Sequence, residues 1–222
     1  MSTRKQMSDT YLIGAILAVI GGYLDAYTYI SRGHVFANAQ TGNIVLLGIE
    51  FADRNYTHAL SYLVPIISFS IGILVVEAIR NRFKQNMVIH WRQIILTMEC
   101  IALFAVGFMP LGNYDTLANV IVSFVCSLQV QSFRKMNGNA YATTMCTGNL
   151  RSATEQLYLY RISKDRKALS NSLQYFGIIA MFIIGAGIGA MVTNQLQEKS
   201  VLVCCAGLIV TILLMFNRRR ES

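Results

Sequence analysis

Charged side chains are scarce in this sequence. Asp, Glu, Lys and Arg together make up 14% of its 222 residues, whereas soluble domains contain roughly 25%. Hydrophobic residues make up 54% of the chain. They gather into repeated blocks of about 20, which is the length that crosses ~30 Å of hydrocarbon. The composition therefore argues against an ordinary soluble domain.

The patterns that mark metal and catalytic sites are also missing. The five cysteines form no Cys-x-x-Cys pair, and four of them fall inside apolar blocks, so neither a disulfide framework nor a zinc site is predicted. The sequence contains no Ser-His pattern and no cluster of His, Cys and carboxylate at ligand spacing. We therefore expect a protein that is not an enzyme and that uses no cofactor or metal ion.

The formal net charge of +8 is interpreted as topology information and not as a nucleic-acid surface, because Lys and Arg lie at the ends of apolar blocks. At the N-terminus, Arg4 and Lys5 precede an apolar run that begins at Tyr11. The run continues to Ile30 and no clear cleavage site follows it, so we interpret it as an uncleaved membrane helix.

The blocks predict an all-α polytopic membrane protein, with a single membrane domain over residues 1–222. The six predicted spans are Tyr11–Ile30, His58–Ala78, Gln93–Met109, Leu117–Phe133, Leu173–Val192 and Val201–Phe216. Counts of Lys and Arg alternate between the segments outside these spans. One set of segments contains 2, 4, 7 and 3 of them, and the other contains 2, 0 and 1. The positive-inside rule then predicts that both termini are cytoplasmic.

Two of the long loops carry the same motif. Residues 33–43 and 138–149 both read Gly-x-x-aromatic-Ala, then three or four residues, then Thr-Gly-Asn. Each copy follows one predicted span and precedes two more, so the chain is predicted to contain two repeats, over about 11–110 and 115–217. Because three spans reverse the direction of the chain, the repeats are predicted to be inverted, as is typical of transporters.

Each motif is predicted to start a short helix. Thr41 is a suitable N-cap residue, and a helix over Asn43–Phe51 is too short to cross a bilayer. Both segments fit re-entrant half helices whose extended leading chain lines a cavity. The second copy is rather polar, with Arg151, Glu155 and Tyr158, and this composition also fits a helix at the membrane interface. The sequence leaves both interpretations open.

A re-entrant arrangement would bring two helix N-termini together near mid-membrane. Free N–H groups and the helix dipole make such ends suitable sites for anions or carboxylates. The predicted substrate-binding residues at these ends are Thr41, Gly42, Asn43, Thr147, Gly148, Asn149 and Arg151.

Polar side chains inside the predicted spans complete the candidate site. Asp25 lies in the first span, where an unpaired carboxylate is costly. Gln129 and Gln131 lie at the equivalent depth of the fourth span, and Glu99 lies near the middle of the third. We expect Asp25 to contact the solute or to carry a coupling proton. A structural hydrogen bond from another helix is the alternative.

At these residues the sequence resembles the YoaK-type family of small bacterial inner-membrane proteins, which share a domain of unknown function. The resemblance covers residues 10–216 and rests on Gly22–Ala26, Gly33, Thr41–Asn43 and Thr143–Asn149. It implies a location in the bacterial inner (plasma) membrane and a duplicated architecture. It implies no established activity, because the family is uncharacterised.

The resulting hypothesis is a transporter or channel for a small polar solute, with an anion favoured. One alternative is a proton or cation pathway through Asp25 and Glu99. Another is a membrane scaffold or sensor that transports nothing. The expected partners are the solute and the lipid bilayer, without nucleic acid, and the small size of the chain is compatible with a homodimer.

Overall fold

The computed structural model describes residues 7–83 and 91–220, and helices dominate these ranges. The helices are α1 (Tyr11–Ser31), α2 (Gln40–Ala52), α3 (Tyr56–Phe83), α4 (Trp91–Val106), α5 (Asp115–Ser132), α6 (Cys146–Ser163), α7 (Arg166–Leu196) and α8 (Leu202–Arg220). Two short 3-10 turns cover Met7–Asp9 and Gln197–Val201. A small antiparallel hairpin pairs β1 (Lys135–Met136) with β2 (Asn139–Ala140). The predicted all-α class is confirmed.

Within the described residues, three stretches are long and apolar enough to cross a membrane. They are Tyr11–Ser31, Tyr56–Phe83 and Arg166–Phe216, the last of which contains both α7 and α8. Each of the six predicted spans lies mainly within one of α1, α3, α4, α5, α7 and α8, although α7 begins seven residues before its predicted span. Large apolar side chains such as Leu74, Ile101 and Leu213 are exposed on the outside of the bundle, as expected where lipid surrounds the helices.

Helices α1 and α7 form the most extensive helix pair among the described residues. Gly185 of α7 lies against the backbone of Val19, and a Cβ atom at Gly189 would lie only 2.8 Å from the carbonyl oxygen of Tyr23. Small residues allow this close approach of two backbones, which is a common basis of helix association in membranes. Since both contacts advance along the two helices together, α1 and α7 run parallel.

Helix α3 packs against α5 in a similar way. The Ser68 hydroxyl donates to the carbonyl oxygen of Val120 at 2.8 Å, and a Cβ atom at Gly72 would lie 2.8 Å from the carbonyl oxygen of Phe124. These contacts also advance together, so α3 and α5 are parallel.

The other helix contacts are paired as well. Helix α2 packs against α3 and α6 against α7, while α4 contacts α5 and α8 contacts α1. Helices α4 and α8 contact each other and run antiparallel, because Cys100 faces Cys205 whereas Gly107 faces Leu202. Exchanging α1–α4 for α5–α8 maps these helix pairs onto one another, whereas the small contact between α3 and α4 has no counterpart of similar extent between α7 and α8 in the described ranges.

Arg32 connects several helices at one end of the bundle. Its guanidinium is fully buried and donates to the Tyr27 hydroxyl at 2.8 Å and to the Met109 carbonyl oxygen at 2.8 Å. It also pairs with the Asp115 carboxylate at 3.1 Å. The C-terminal end of α1 is therefore tied to the N-terminal end of α5. The sequence pattern identified Arg32 only as one of the Lys and Arg residues outside the predicted spans.

The two motif helices differ from their predictions. Helix α2 begins at Gln40 with Ala39 at the N-cap position, so the predicted N-cap role of Thr41 is wrong. The physical reason is that the Asp25 carboxylate of α1 accepts backbone hydrogen bonds at this helix start. Helix α6 has 18 residues, or roughly 27 Å at 1.5 Å per residue, and is longer than the predicted short segment.

Candidate solute-binding site

Asp25 is buried on one face of α1, with 6% of its surface exposed. Leu17 and Gly21 lie eight and four residues earlier, so all three share this face of the helix. The face is turned toward the extended chain that precedes α2 and α6 and toward α5. Side chains from all three segments contact it.

The chain before α2 supplies the first contacts. The backbone N–H of Asn38 donates to the Asp25 carboxylate at 2.9 Å, and the Asn38 side-chain amide donates to the Gly21 carbonyl oxygen at 2.9 Å. The backbone N–H of Ala39 also hydrogen-bonds to Asp25. The carboxylate therefore occupies the positive N-terminal end of α2. The sequence predicts a bound anion at this helix end, and the Asp25 carboxylate lies there in the structure.

The chain before α6 supplies the second set of contacts. Gly21 has no side chain, and a Cβ atom there would collide with the methyl group of Thr144. Cys146, the first residue of α6, lies close enough to Asp25 for an electrostatic interaction. Both motif segments therefore reach the same part of α1, although they are separated by about a hundred residues of sequence.

Helix α5 completes the site. The Gln129 side-chain amide donates to the Leu17 carbonyl oxygen at 3.2 Å. The Ser123 hydroxyl donates to the Ala37 carbonyl oxygen at 2.9 Å and so attaches α5 to the chain before α2. We call Asp25, Asn38, Gln129 and Thr144 the central polar cluster.

Several oxygen atoms in and beside this cluster are buried without a hydrogen-bond partner among the residues that the structure describes. They are Asn38 Oδ1, Gln129 Oε1, Thr143 Oγ1 and Thr144 Oγ1. An unpaired buried polar group costs about 1–3 kcal/mol, so such groups in a folded protein require an explanation. The amide oxygens are acceptors, whereas the hydroxyls can accept or donate. The cluster is therefore chemically suited to a small ligand that carries N–H or O–H groups.

The two Thr-Gly-Asn motifs have a structural role in addition to any contact with solute. The Asn43 amide donates to the Phe36 carbonyl oxygen at 3.0 Å, and the Asn149 amide donates to the Ala142 carbonyl oxygen at 2.7 Å. Each amide thus reaches back seven residues and closes the extended chain before its helix. Both asparagines are buried.

The remaining motif residues lie farther out. Thr41, Thr147, Gly148 and Arg151 are exposed on the outer surface of the chain, and Gly42 is partly buried. The first glycine of each motif, Gly33 or Gly138, has a positive φ of 81° or 90°, which glycine adopts without strain. The structure thus brings the motif segments together through Asn38 and Thr144, while Thr41, Thr147 and Gly148 are exposed.

Gln131 and Glu99 are separate from the central polar cluster. Gln131 donates to the Glu77 carboxylate of α3. Glu99 is fully buried in α4, and neither of its oxygens has a partner within the described part of the chain. Cys126 of α5 lies near enough to interact electrostatically with both Glu99 and Asp25.

Asn38 is a site residue that no sequence pattern indicated. The available signal was its position, since it is the polar residue directly before the helix that starts with the motif. Thr143 and Thr144 entered only as part of the family resemblance. Their burial depends on α1 and was not predictable from spacing.

Comparison with known proteins agrees with the membrane architecture. Residues 13–215 match a family described as "Protein of unknown function (DUF1275)". The chain belongs to this family. It is also 25% identical over 187 residues to the UPF0700 transmembrane protein YoaK of Bacillus subtilis (strain 168), covering 80% of this chain and 81% of that protein. The predicted resemblance to YoaK-type proteins is confirmed. No solved structure matches the chain.

The family and the apolar helices together identify an integral membrane protein. Neither the name of the family nor the name of the Bacillus protein states an activity. What the protein does must therefore be inferred from the central polar cluster.

Proposed function

We propose that the protein is a transporter or channel that passes a small polar solute across the bacterial inner membrane through the central polar cluster. The observation that carries this proposal is the set of unpaired buried oxygens that lies where both motif segments meet α1. Polar groups inside a membrane protein are costly and usually mark a solute or ion path. Binding and permeation, without catalysis, account for them.

Six membrane crossings in two inverted repeats are part of the proposal. The directions of the helices support it, because Arg32 joins the end of α1 to the start of α5, and α4 runs antiparallel to α8. Each of these helices thus runs opposite to its counterpart in the other half. The larger helix pairs give the same support, because exchanging the halves maps α1–α7 onto α3–α5 and α2–α3 onto α6–α7. Both termini are then cytoplasmic, as the alternating Lys and Arg counts predict.

The chemistry of the cluster favours a solute that donates hydrogen bonds. Asp25 already neutralises the N-terminal end of α2, and the free amide oxygens of Asn38 and Gln129 accept but do not donate. An ammonium-type cation or a neutral solute with several N–H or O–H groups fits this arrangement better than an anion. The anionic solute predicted from the helix N-termini, with Thr41, Thr147 and Arg151 as ligands, remains a competing prediction.

Stopped-flow light scattering on proteoliposomes tests the proposal directly. Vesicles with purified protein are mixed with an osmotic excess of one solute from a panel of amines, amides, polyols and small carboxylates. We expect protein-dependent reswelling with a donor-rich member of the panel and not with carboxylates. No protein-dependent permeation of any solute would favour the scaffold or sensor alternative.

Thr144→Val is the most informative variant in this assay. It preserves the shape of the side chain and removes a hydroxyl oxygen that has no partner among the described residues. If the hydroxyl serves permeation, solute flux falls while thermal stability is unchanged or higher. The matched control is Thr41→Val at an exposed position. If Thr41→Val reduces flux and Thr144→Val does not, the solute binds at the Thr-Gly-Asn helix ends instead.

A further inference from the structure

The turn between α6 and α7 carries four exposed positive charges within seven residues. They are Arg161, Lys164, Arg166 and Lys167. None of them forms an ion pair with a residue that the structure describes. The neighbouring carboxylate of Asp165 caps α7 by accepting from the Lys167 backbone N–H at 2.9 Å. We call these four residues the basic corner.

Two grooves adjoin the basic corner, and Tyr160 lines both of them. The first has a volume of about 420 Å³ and is lined in part by Leu157, Arg161 and Lys164. The Lys164 ammonium lies 5.9 Å from the Tyr160 ring centroid, so Tyr160 contributes to holding this cation near the groove.

The second groove has a volume of about 630 Å³ and lies between the start of α1 and α7. Tyr11, Tyr160, Arg166, Leu169 and Leu173 line it in part. Each groove therefore has at least one cation beside an apolar wall. Leu157 is 43% exposed and Leu173 is 62% exposed, which leaves apolar surface uncovered directly beside the charges.

We propose that the basic corner binds an anionic diacyl phospholipid of the cytoplasmic leaflet. Arg161, Lys164 and Arg166 contact the phosphate, and the two acyl chains lie in the two grooves that Tyr160 lines. Charge complementarity selects the lipid class, because basic side chains near the bilayer surface attract anionic lipids. The paired grooves match a ligand with one anionic head and two apolar chains. The Lys and Arg counts predict that this corner lies on the cytoplasmic side, where such headgroups are available.

A soluble phosphate compound fits the site less well. It would use the cations but would leave the leucine walls of both grooves uncovered. A zwitterionic lipid would cover the walls but would bring no net charge to the three cations. The combination of charge and apolar surface therefore points to an anionic lipid.

Native mass spectrometry of the full chain tests the inference. Protein is released from nanodiscs that contain equal amounts of phosphatidylglycerol and phosphatidylcholine, and retained lipids are counted. We expect retained phosphatidylglycerol in preference to phosphatidylcholine. The triple variant R161Q/K164Q/R166Q should weaken this retention by on the order of a hundredfold, since each surface cation contributes a factor of about five and the three factors multiply.

The matched control is R54Q/R82Q/K199Q, which removes the same net charge at exposed positions elsewhere. It should retain phosphatidylglycerol like the unmodified chain. Equal losses in both triple variants, or equal retention of the two lipids, would overturn the proposal in favour of non-specific attraction. Displacement of the lipid by soluble glycerol phosphate at millimolar concentration would also overturn it, because the ligand would then be the phosphate alone.

A second variant isolates the apolar contribution. Leu157→Ser together with Leu173→Ser keeps every charge and should still reduce lipid retention. Unchanged retention in this variant would contradict the role of the grooves. The measurement does not depend on solute flux, so it remains valid if the proposed transport function is wrong.

Discussion

Asp25 shows how one buried side chain can stabilise the start of a distant helix. Its carboxylate accepts backbone hydrogen bonds from Asn38 and Ala39 at the start of α2. The sequence left a structural hydrogen bond and a solute contact as alternatives. The first is present in the structure, and the second remains part of the proposed function.

Asp25→Asn is expected to abolish permeation and to lower stability only moderately. The Asn Oδ1 atom can still accept from Asn38, but the charge that opposes the α2 dipole is lost. Charge-assisted hydrogen bonds are roughly twice as strong as neutral ones, so we expect a loss of about 1–2 kcal/mol. Thermal unfolding in detergent measures the stability, and the vesicle assay measures the flux. Full flux in this variant would remove Asp25 from the solute path.

Arg32→Lys should be severely destabilising although it preserves charge. The guanidinium bonds to Tyr27, Met109 and Asp115 from a fully buried position, and an ammonium cannot reach these acceptors in the same geometry. Disrupting a buried pair typically costs about 3–5 kcal/mol. Thermal unfolding of Arg32→Lys beside the exposed control Arg54→Lys provides the measurement. Equal unfolding temperatures for the two variants would contradict the structural role of Arg32.

At the scale of elements, the glycines of α7 decide how closely α1 and α7 approach. Gly185→Ala places a Cβ atom into the backbone of Val19, whereas Gly187 in the same helix has open space around its Cα. Backbone atoms cannot move aside without separating the helices, so Gly185→Ala should cost at least about 1–3 kcal/mol. Gly187→Ala should be neutral or stabilising by up to about 1 kcal/mol. Thermal unfolding of the pair tests this, and equal effects would contradict the parallel α1–α7 packing.

The two motif asparagines should behave alike because each closes the chain before its helix. Asn43→Ala leaves the Phe36 carbonyl oxygen without this donor, and Asn149→Ala does the same for Ala142. Each change is expected to cost about 1–3 kcal/mol in thermal unfolding. Thr41→Ala, at an exposed position of the same motif, is the control. If Thr41→Ala were as damaging as Asn43→Ala, the motif threonine would have a packing role that the structure does not indicate.

At the scale of the whole molecule, the inverted repeat predicts where the two motif helices end. Asp53 follows α2 and Lys164 follows α6, and both are exposed. In a background without the five native cysteines, Asp53→Cys should react with an impermeant maleimide added outside intact cells. Lys164→Cys should react only in inverted vesicles. Reaction of both from the same side would contradict the inverted arrangement and the six crossings together.

Much of the helical architecture was predictable because hydrophobic blocks of membrane length have few alternatives to helix in lipid. The blocks located α1, α3, α4, α5, α7 and α8, although α7 begins seven residues before its predicted start. The repeated motif was equally visible, because Gly33, Gly138, Asn43 and Asn149 meet local backbone needs within each copy. The start of α2, the length of α6 and the burial of Arg32 were not predicted. Each depends on contacts with distant parts of the chain.

The sequence by itself determined that this is a helical membrane protein with a repeated motif. The length of an apolar segment and the conformation of a turn both depend on residues that are close together in the sequence. Only the tertiary structure decided which polar residues meet. Asn38 and Thr144 approach Gly21 from opposite halves of the chain, and Asp25 occupies the helix end where an anion was expected. No spacing rule contains that information, because it depends on how the helices pack against one another.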